Sequence, residues 1–237
     1  MKVSILHLVE GARAASGAVV VIDVFRAFSL VPHAFMRGCE RVVPVGDVEE
    51  AYGLKAAHPD WLVAGERFTK KLEGFDFGNS PSEIEAAGEE VLGGKTLIHT
   101  THAGTQGLVN ATGEGVEVVL TGSFVNAAAT VGFIRAGGFG EVSLVCMGHQ
   151  AERPTDEDTW CAEYLKGLLL GEPVKPREEI VGHLRGYESA EKFFDEEKPW
   201  TPERDFELCM DFDAADFAVV RKGGGLVKVT SDRVARG

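Results

Sequence analysis

Short runs of apolar, mostly β-branched residues recur through the first two thirds of the chain. Each gives way to a stretch whose apolar positions fall at helical spacing. The pattern predicts strands over residues 18–24 (AVVVIDV), 41–45 (RVVPV), 62–65, 96–99, 116–120 and 141–146, and helices over 27–37, 48–57, 81–87, 123–136 and 158–170. Alternation of this kind predicts an α/β fold, a largely parallel or mixed sheet with helices on both faces. The first run agrees: a parallel strand is covered on both sides, so it reads as continuous rather than alternating hydrophobicity. Beyond residue 171 the texture changes to a charged stretch with prolines at 173, 176, 199 and 202, read as a helical excursion over about 171–210. The runs 217–220 and 226–229 flank Arg221-Lys222-Gly223-Gly224-Gly225 and predict a C-terminal β-hairpin that adds strands to the main sheet. No repeat, linker or low-complexity segment interrupts the pattern, so residues 1–237 are expected to form a single domain.

Charge narrows the partners. Twenty-four Lys and Arg against 37 Asp and Glu leave −13 over 237 residues. Such a surface repels phosphate backbones and anionic lipid, so neither nucleic acid nor membrane is an expected partner. No apolar run approaches the roughly 20 residues that span a bilayer, and the opening MKVSILHLVEGARAA lacks the long apolar core of a secretory signal. The cysteines 39, 146, 161 and 209 are widely spaced without a CxxC pair. A reduced, cytoplasmic protein is the expectation. A homo-oligomer is left open.

In an open α/β sheet, ligands collect outside the carboxyl ends of the strands. Residues just past the predicted strands are rich in chemistry: Asp23, Arg26 and Ser29 after the first; Glu66, Arg67, Asp76, Asn79 and Ser80 after the third; Thr100, Thr101, His102, Gly104 and Thr105 after the fourth; Ser123 and Asn126 after the fifth; the acidic run 156–158 after the sixth. Asp23, Glu66, Asp76 and Asp158 are hard oxygen donors of the kind Mg²⁺ takes while keeping several waters. Arg26 and Arg67 offer planar forks for phosphate or sulfonate. Thr100, Thr101, Thr105 and Ser123 lie near helix starts, where free amides favour anions. Together they suit a small, multiply charged phosphorylated metabolite.

Plainer readings stand beside these. Asp23 precedes a helix and reads equally as its N-cap. Ser80-Pro81-Ser82-Glu83 has the form of a capping box, and Asp76 with Asn79 can shape the turn before it. Thr155 with Asp158 has the same capping form, His99 falls within a strand expected to be buried, and Cys161 reads as packing. His102 divides evenly between a site and a structural role. Familiar signatures are missing: there is no GxxxxGK[ST], GxSxG or HExxH, and Gly137-Gly138-Phe139-Gly140 precedes a strand instead of following one.

At these positions the chain resembles the 2-phosphosulfolactate phosphatase family. Ile22-Asp23-Val24-Phe25-Arg26-Ala27 is similar to its IDVLRA block. Ala64-Gly65-Glu66-Arg67 followed by Gly74-Phe75-Asp76-Phe77-Gly78-Asn79-Ser80-Pro81 resembles AGER…GFDxGNSP. Gly122-Ser123-Phe124-Val125-Asn126-Ala127 is similar to GSFLNA, and residues 158–162 resemble the start of its ED-x-x-CAG helix. The resemblance implies an α/β, Mg²⁺-dependent hydrolase that converts 2-phosphosulfolactate to sulfolactate and phosphate, a step toward coenzyme M. It implies that Asp23, with one or more of Glu66, Asp76 and Asp158, holds the metal while Arg26 and Arg67 clamp the anion. The chain departs from the family where Thr100-Thr101-His102-Ala103-Gly104-Thr105 replaces TTNGT, and where Phe28 and Glu163 stand in place of a hydroxyl residue and a glycine. These departures keep two alternatives open: hydrolysis of another small phosphorylated hydroxy acid, and a non-catalytic anion-binding homologue.

Overall fold

The computed structural model describes residues 1–230. Its strands are β1 (Lys2–His7), β2 (Gly17–Ile22), β3 (Arg41–Pro44), β4 (Leu62–Arg67), β5 (Lys70–Lys71), β6 (Thr96–Thr100), β7 (Val116–Gly122), β8 (Glu141–Cys146), β9 (Ala218–Lys222) and β10 (Gly225–Val229). Among the described residues they form one mixed sheet in the order β1-β8-β2-β7-β9-β10-β3-β6-β4-β5. Parallel pairing joins β1, β8, β2 and β7 into one half and β3, β6 and β4 into the other. The antiparallel β9–β10 hairpin lies between the halves. The expected C-terminal hairpin is therefore present, but it forms the joint of the sheet. Its turn is tighter than the sequence suggested: only Gly223 and Gly224 lie outside the strands, both with positive φ (57° and 75°), as two-residue hairpin turns require.

Helices α1 (Leu8–Ala14), α2 (Ala27–Met36), α3 (Val48–Ala57), α4 (Pro81–Leu92), α5 (Gly104–Asn110), α6 (Ala127–Gly137), α7 (Asp156–Leu170), α8 (Arg177–Arg185) and α9 (Glu203–Cys209) cover the faces. The fully buried β2 divides its side chains by the period of two. Ala18, Val20 and Ile22 pack into a cluster with Val131 and Ile134 of α6 and Leu165 of α7. Val19 and Val21 join Leu30 and Phe35 of α2 and Leu108 of α5. This second cluster also takes in Val42, Ala64 and Leu97 from β3, β4 and β6, so the two halves of the sheet share a core. The joint between them is slender: β7 meets β9 at two residue pairs and β10 meets β3 at one, Leu226 with Val42. Residues just past β2 and β8 in one half and past β4 and β6 in the other nevertheless line one cleft.

Several boundaries differ from expectation for local reasons. β1 was not expected, because KVSILH is a partly exposed edge strand with weak patterning. The helix expected to end at 87 continues to Leu92 across a non-helical Gly88 (φ 66°). The stretch 123–136 begins as a 3₁₀ turn, Phe124–Asn126, in which Ser123 and Asn126 cap each other. The charged excursion holds α8, a 3₁₀ segment Glu188–Phe193 and α9. Ile180, Leu184, Ala190, Phe193 and Phe206 from it are buried in the first cluster.

Candidate active site

The carboxyl ends of β2, β4, β6 and β8 open onto a cleft of about 280 Å³, and the excursion closes its far side. From the strand ends come Asp23, Arg26, Glu66, Thr101, His102 and Gly148. From α7 and the excursion come Glu157, Ser189, Glu191, Lys192 and Lys198.

Asp23 sits at the centre. The loop before α5 passes so close that a Cβ on Gly104 would lie 2.8 Å from Asp23 Oδ2, which accounts for a glycine there. Burial pushes the Asp23 carboxyl up to about 7; Lys192 opposes the rise, while Glu157 and Glu66 add to it. Glu157, only 6% exposed, accepts from Ser189 Oγ at 2.6 Å and is also raised by burial. The Lys192 ammonium lies over the rings of Phe193 (5.1 Å) and Phe25 (5.6 Å), and burial lowers its pKa against the pull of Glu157 and Asp23. Two carboxylates and an ammonium thus share one desolvated space, where their interactions are stronger than in water.

Arg26 is 3% exposed and holds φ 92°, ψ −61° as the N-cap of α2. A non-glycine residue in that region is strained, and such strain persists only where its surroundings enforce it. Here its N–H donates to Val24 O at 2.8 Å and to Cys209 Sγ at 3.3 Å, and its Nε donates to the Asn79 carbonyl. Glu66 is tied down too: Oε2 accepts from Thr69 N–H at 2.6 Å and Oε1 faces the amide and Nδ1 of His102 at 3.4 and 3.6 Å. The His102 ring lies against Phe68, which is 72% exposed on the β4–β5 turn, where Phe68 and Thr69 both carry positive φ.

The other expected site residues divide between the cleft and its surroundings. Asn79 lines the cleft, and its Oδ1 meets His99 Nε2 at 3.2 Å. His99 is buried as expected, and burial pushes its pKa down to about 4. Thr101 reaches the cleft, whereas Thr105 is enclosed, its hydroxyl donating back to the Thr101 carbonyl. Thr100 accepts from Arg67 Nη2 at 3.1 Å, and Arg67 Nη1 donates to the Glu66 carbonyl, so this arginine braces the end of β4 outside the cleft lining. Ser80 caps α4 and donates to Asp205, with no exposure to the cleft. Ser123 and Asn126 are likewise enclosed in their 3₁₀ turn.

Two of the four expected metal ligands are not brought to the cleft. Asp76 is exposed beside β4, where Oδ2 accepts from Val63 N–H at 2.8 Å and from Lys55 at 3.2 Å. Asp158 is 1% exposed; its oxygens accept from Val24 N–H and Gly148 N–H, both at 2.8 Å. It is neither the partner of a Thr155 cap, which does not form, nor turned to the cleft; it clamps the ends of β2 and β8. The acidic run does supply a cleft carboxylate, but from Glu157, the residue before it. Glu157 and Lys192 are the main residues that sequence reasoning passed over. The first carried a signal in the run 156–158, whereas Lys192 sits in a charged stretch that reads as solvated surface.

Among the described residues no three His, Cys, Asp or Glu side chains gather as a metal cage. A cation at Asp23 would rest on one or two carboxylates, Asp23 with Glu66 or Glu157, and complete its shell with water and substrate oxygens. That is how Mg²⁺ binds, and the oxygen-only donor set fits it.

An α/β sheet whose strand ends bring a buried arginine and a desolvated carboxylate to one cleft, where α7 and the excursion add a second carboxylate and an ammonium, defines an enzyme of small anionic substrates. Residues 4–220 match the family described as 2-phosphosulpholactate phosphatase. The chain is 33% identical over 217 residues to a probable 2-phosphosulfolactate phosphatase of Bacillus subtilis, covering 91% of each chain. It is 41% identical over 144 residues to one of Clostridium acetobutylicum, covering 55% of this chain and 59% of that one. A third, from Caldicellulosiruptor saccharolyticus, is 37% identical over 155 residues, 64% of this chain and 62% of its own. The chain belongs to the 2-phosphosulfolactate phosphatase family and is a phosphoric monoester hydrolase. Among the described residues no helix is long and apolar enough to cross a membrane.

Proposed function

We propose that the chain hydrolyses 2-phosphosulfolactate to sulfolactate and phosphate with Mg²⁺ bound at Asp23, together with Glu66 or Glu157. The observation that carries this reading is Arg26: a buried guanidinium in a strained backbone, lining the same cleft as Asp23. Bound there, Mg²⁺ would supply polarisation of a phosphoryl oxygen and an oriented water. The protein's own groups do the rest. Arg26 and Lys192 neutralise the phosphoryl oxygens, so that the attacking water meets less negative charge. His102, held beside Glu66 and lining the cleft, would give a proton to the leaving oxygen. Lys198 and Arg153, also at the cleft, suit the remaining anionic groups of such a substrate. The test is phosphate release from 2-phosphosulfolactate with Mg²⁺ and after its removal by chelation; no release with Mg²⁺ present overturns the proposal.

The loop 100–105 favours a second reading. His102 lines the cleft at the point where this chain departs from the TTNGT pattern, which suits hydrolysis of a different small phosphorylated hydroxy acid. A panel of such acids, assayed for phosphate release, separates the two. Tight binding across the panel without release would instead identify a non-catalytic homologue.

A further inference from the structure

The guanidinium of Arg26 is anchored from the excursion, by a carboxylate that no strand end supplies. Asp205 of α9 is 0% exposed. Its Oδ1 accepts from Ser80 Oγ (2.7 Å), Ser82 N–H (3.0 Å) and Ser82 Oγ (2.7 Å), all at the start of α4. Its Oδ2 meets no hydrogen-bond donor among the described residues and lies 3.6 Å from Arg26 Nε. Nε itself donates to the Asn79 carbonyl, and Nη1 lies 3.4 Å from the Thr69 carbonyl. Groups from three separate segments therefore hold Nε and Nη1, while Nη2 meets no protein acceptor among the described residues. An arginine with Nε and Nη1 occupied and Nη2 unused is set up to bind an anion at that nitrogen. α4 already has Ser80 as its N-cap, so a buried charge is more than the cap requires. A buried ion pair returns little net stability once desolvation is counted, and its best-attested use is to fix geometry.

We propose that Asp205 is a positioning residue: with its Oδ1 locked by Ser80 and Ser82, it turns Oδ2 onto Arg26 and so fixes the guanidinium against the substrate's phosphoryl group. This rests on the reading that the cleft is the phosphatase site. The excursion is then part of the active site in two ways, supplying Lys192 to the cleft and Asp205 behind Arg26.

The experiment is calorimetric titration of the full chain, in Mg²⁺, with inorganic phosphate, for the wild type, Asp205→Asn, Arg26→Lys, the double variant and Ser82→Ala. Asp205→Asn keeps the shape and loses the charge; it should weaken phosphate binding about tenfold, the scale of one charge-assisted contact. In the Arg26→Lys background the same change should cost less than about threefold, because the two residues act as one unit. Ser82→Ala leaves the carboxylate in place and removes one of its locks, so a loss of about twofold is expected, and this variant carries the test if Asp205→Asn does not fold. In steady-state assays KM should rise more than kcat falls. Wild-type phosphate affinity in Asp205→Asn overturns the proposal, as do fully additive effects of the two substitutions. If Asp205→Asn fails to fold, wild-type affinity in Ser82→Ala does so. Phosphate binding that depends on Asp205, in a wild type that does not turn over 2-phosphosulfolactate, upholds the positioning role and removes only the proposed substrate.

Discussion

The segment after β2 and the segment ending β4 each offer a carboxylate three residues or fewer from an arginine: Asp23 with Arg26, Glu66 with Arg67. In the folded chain they do different work. Arg26 is buried, strained and paired with a carboxylate from a distant helix, and it lines the cleft. Arg67 is half-buried and spends its two terminal nitrogens on the Glu66 carbonyl and the Thr100 hydroxyl. The same residue type lines the cleft in one place and braces a strand end in the other. Its neighbours decide which: Arg26 is held at Nε and Nη1, while Arg67 is held at both terminal nitrogens.

The contrast can be broken by experiment. Arg26→Ala should cost the most, lowering kcat/KM by about 10²–10³, as for loss of a positioned transition-state donor; equal losses in Arg26→Ala and Arg67→Ala would erase the distinction drawn above. Asp158→Asn tests the clamp behind β2. One of the amides of Val24 and Gly148 would lose a charged acceptor while buried, at about 1–3 kcal/mol, and thermal unfolding of the variant should begin several degrees lower. Lys192→Met, which keeps the aliphatic stem against Phe25 and Phe193, should raise KM about tenfold with a smaller change in kcat; an unchanged KM would return Lys192 to a purely structural account. Arg67→Ala should lower kcat/KM by only about threefold, through a looser β4 end, since a neutral-acceptor hydrogen bond contributes about 1 kcal/mol. Asp76→Asn, on the exposed side of β4, should shift stability by less than about 1 kcal/mol and leave phosphate release at the wild-type rate.

Much of this architecture was legible along the chain. Continuous apolar strands and the glycine-rich turns after them located Asp23, Arg26, Glu66, Asn79, Thr101 and His102, because a parallel sheet places its loops at predictable ends. What stayed hidden was long-range. The acidic run 156–158 looks uniform, yet helical geometry sends Glu157 to the cleft and Asp158 to the backbone between β2 and β8. Asp76 belongs to the motif block that most resembles the family, and its position there gave no hint that it serves the Val63 amide. Lys192 and Asp205 lie in a stretch whose composition matches solvent-exposed helix; only the fold shows that Phe193 and Phe206 bury it against Phe25.

The hairpin at the joint of the sheet has a bearing on how this chain must be made. β9 and β10 follow every other described element in the chain, yet β7 and β3 each need one of them as a neighbour. Until the ribosome has released residues 218–229, both halves present an unsatisfied strand edge, the kind of template on which chains aggregate. The core shared by the two halves takes in Val219 and Leu226 of the hairpin, so it is completed only by contacts between residues far apart in the sequence. A nascent chain stalled before residue 218 would be a sticky intermediate in need of a chaperone, and the enzyme's cleft would be assembled only after synthesis of its central strands.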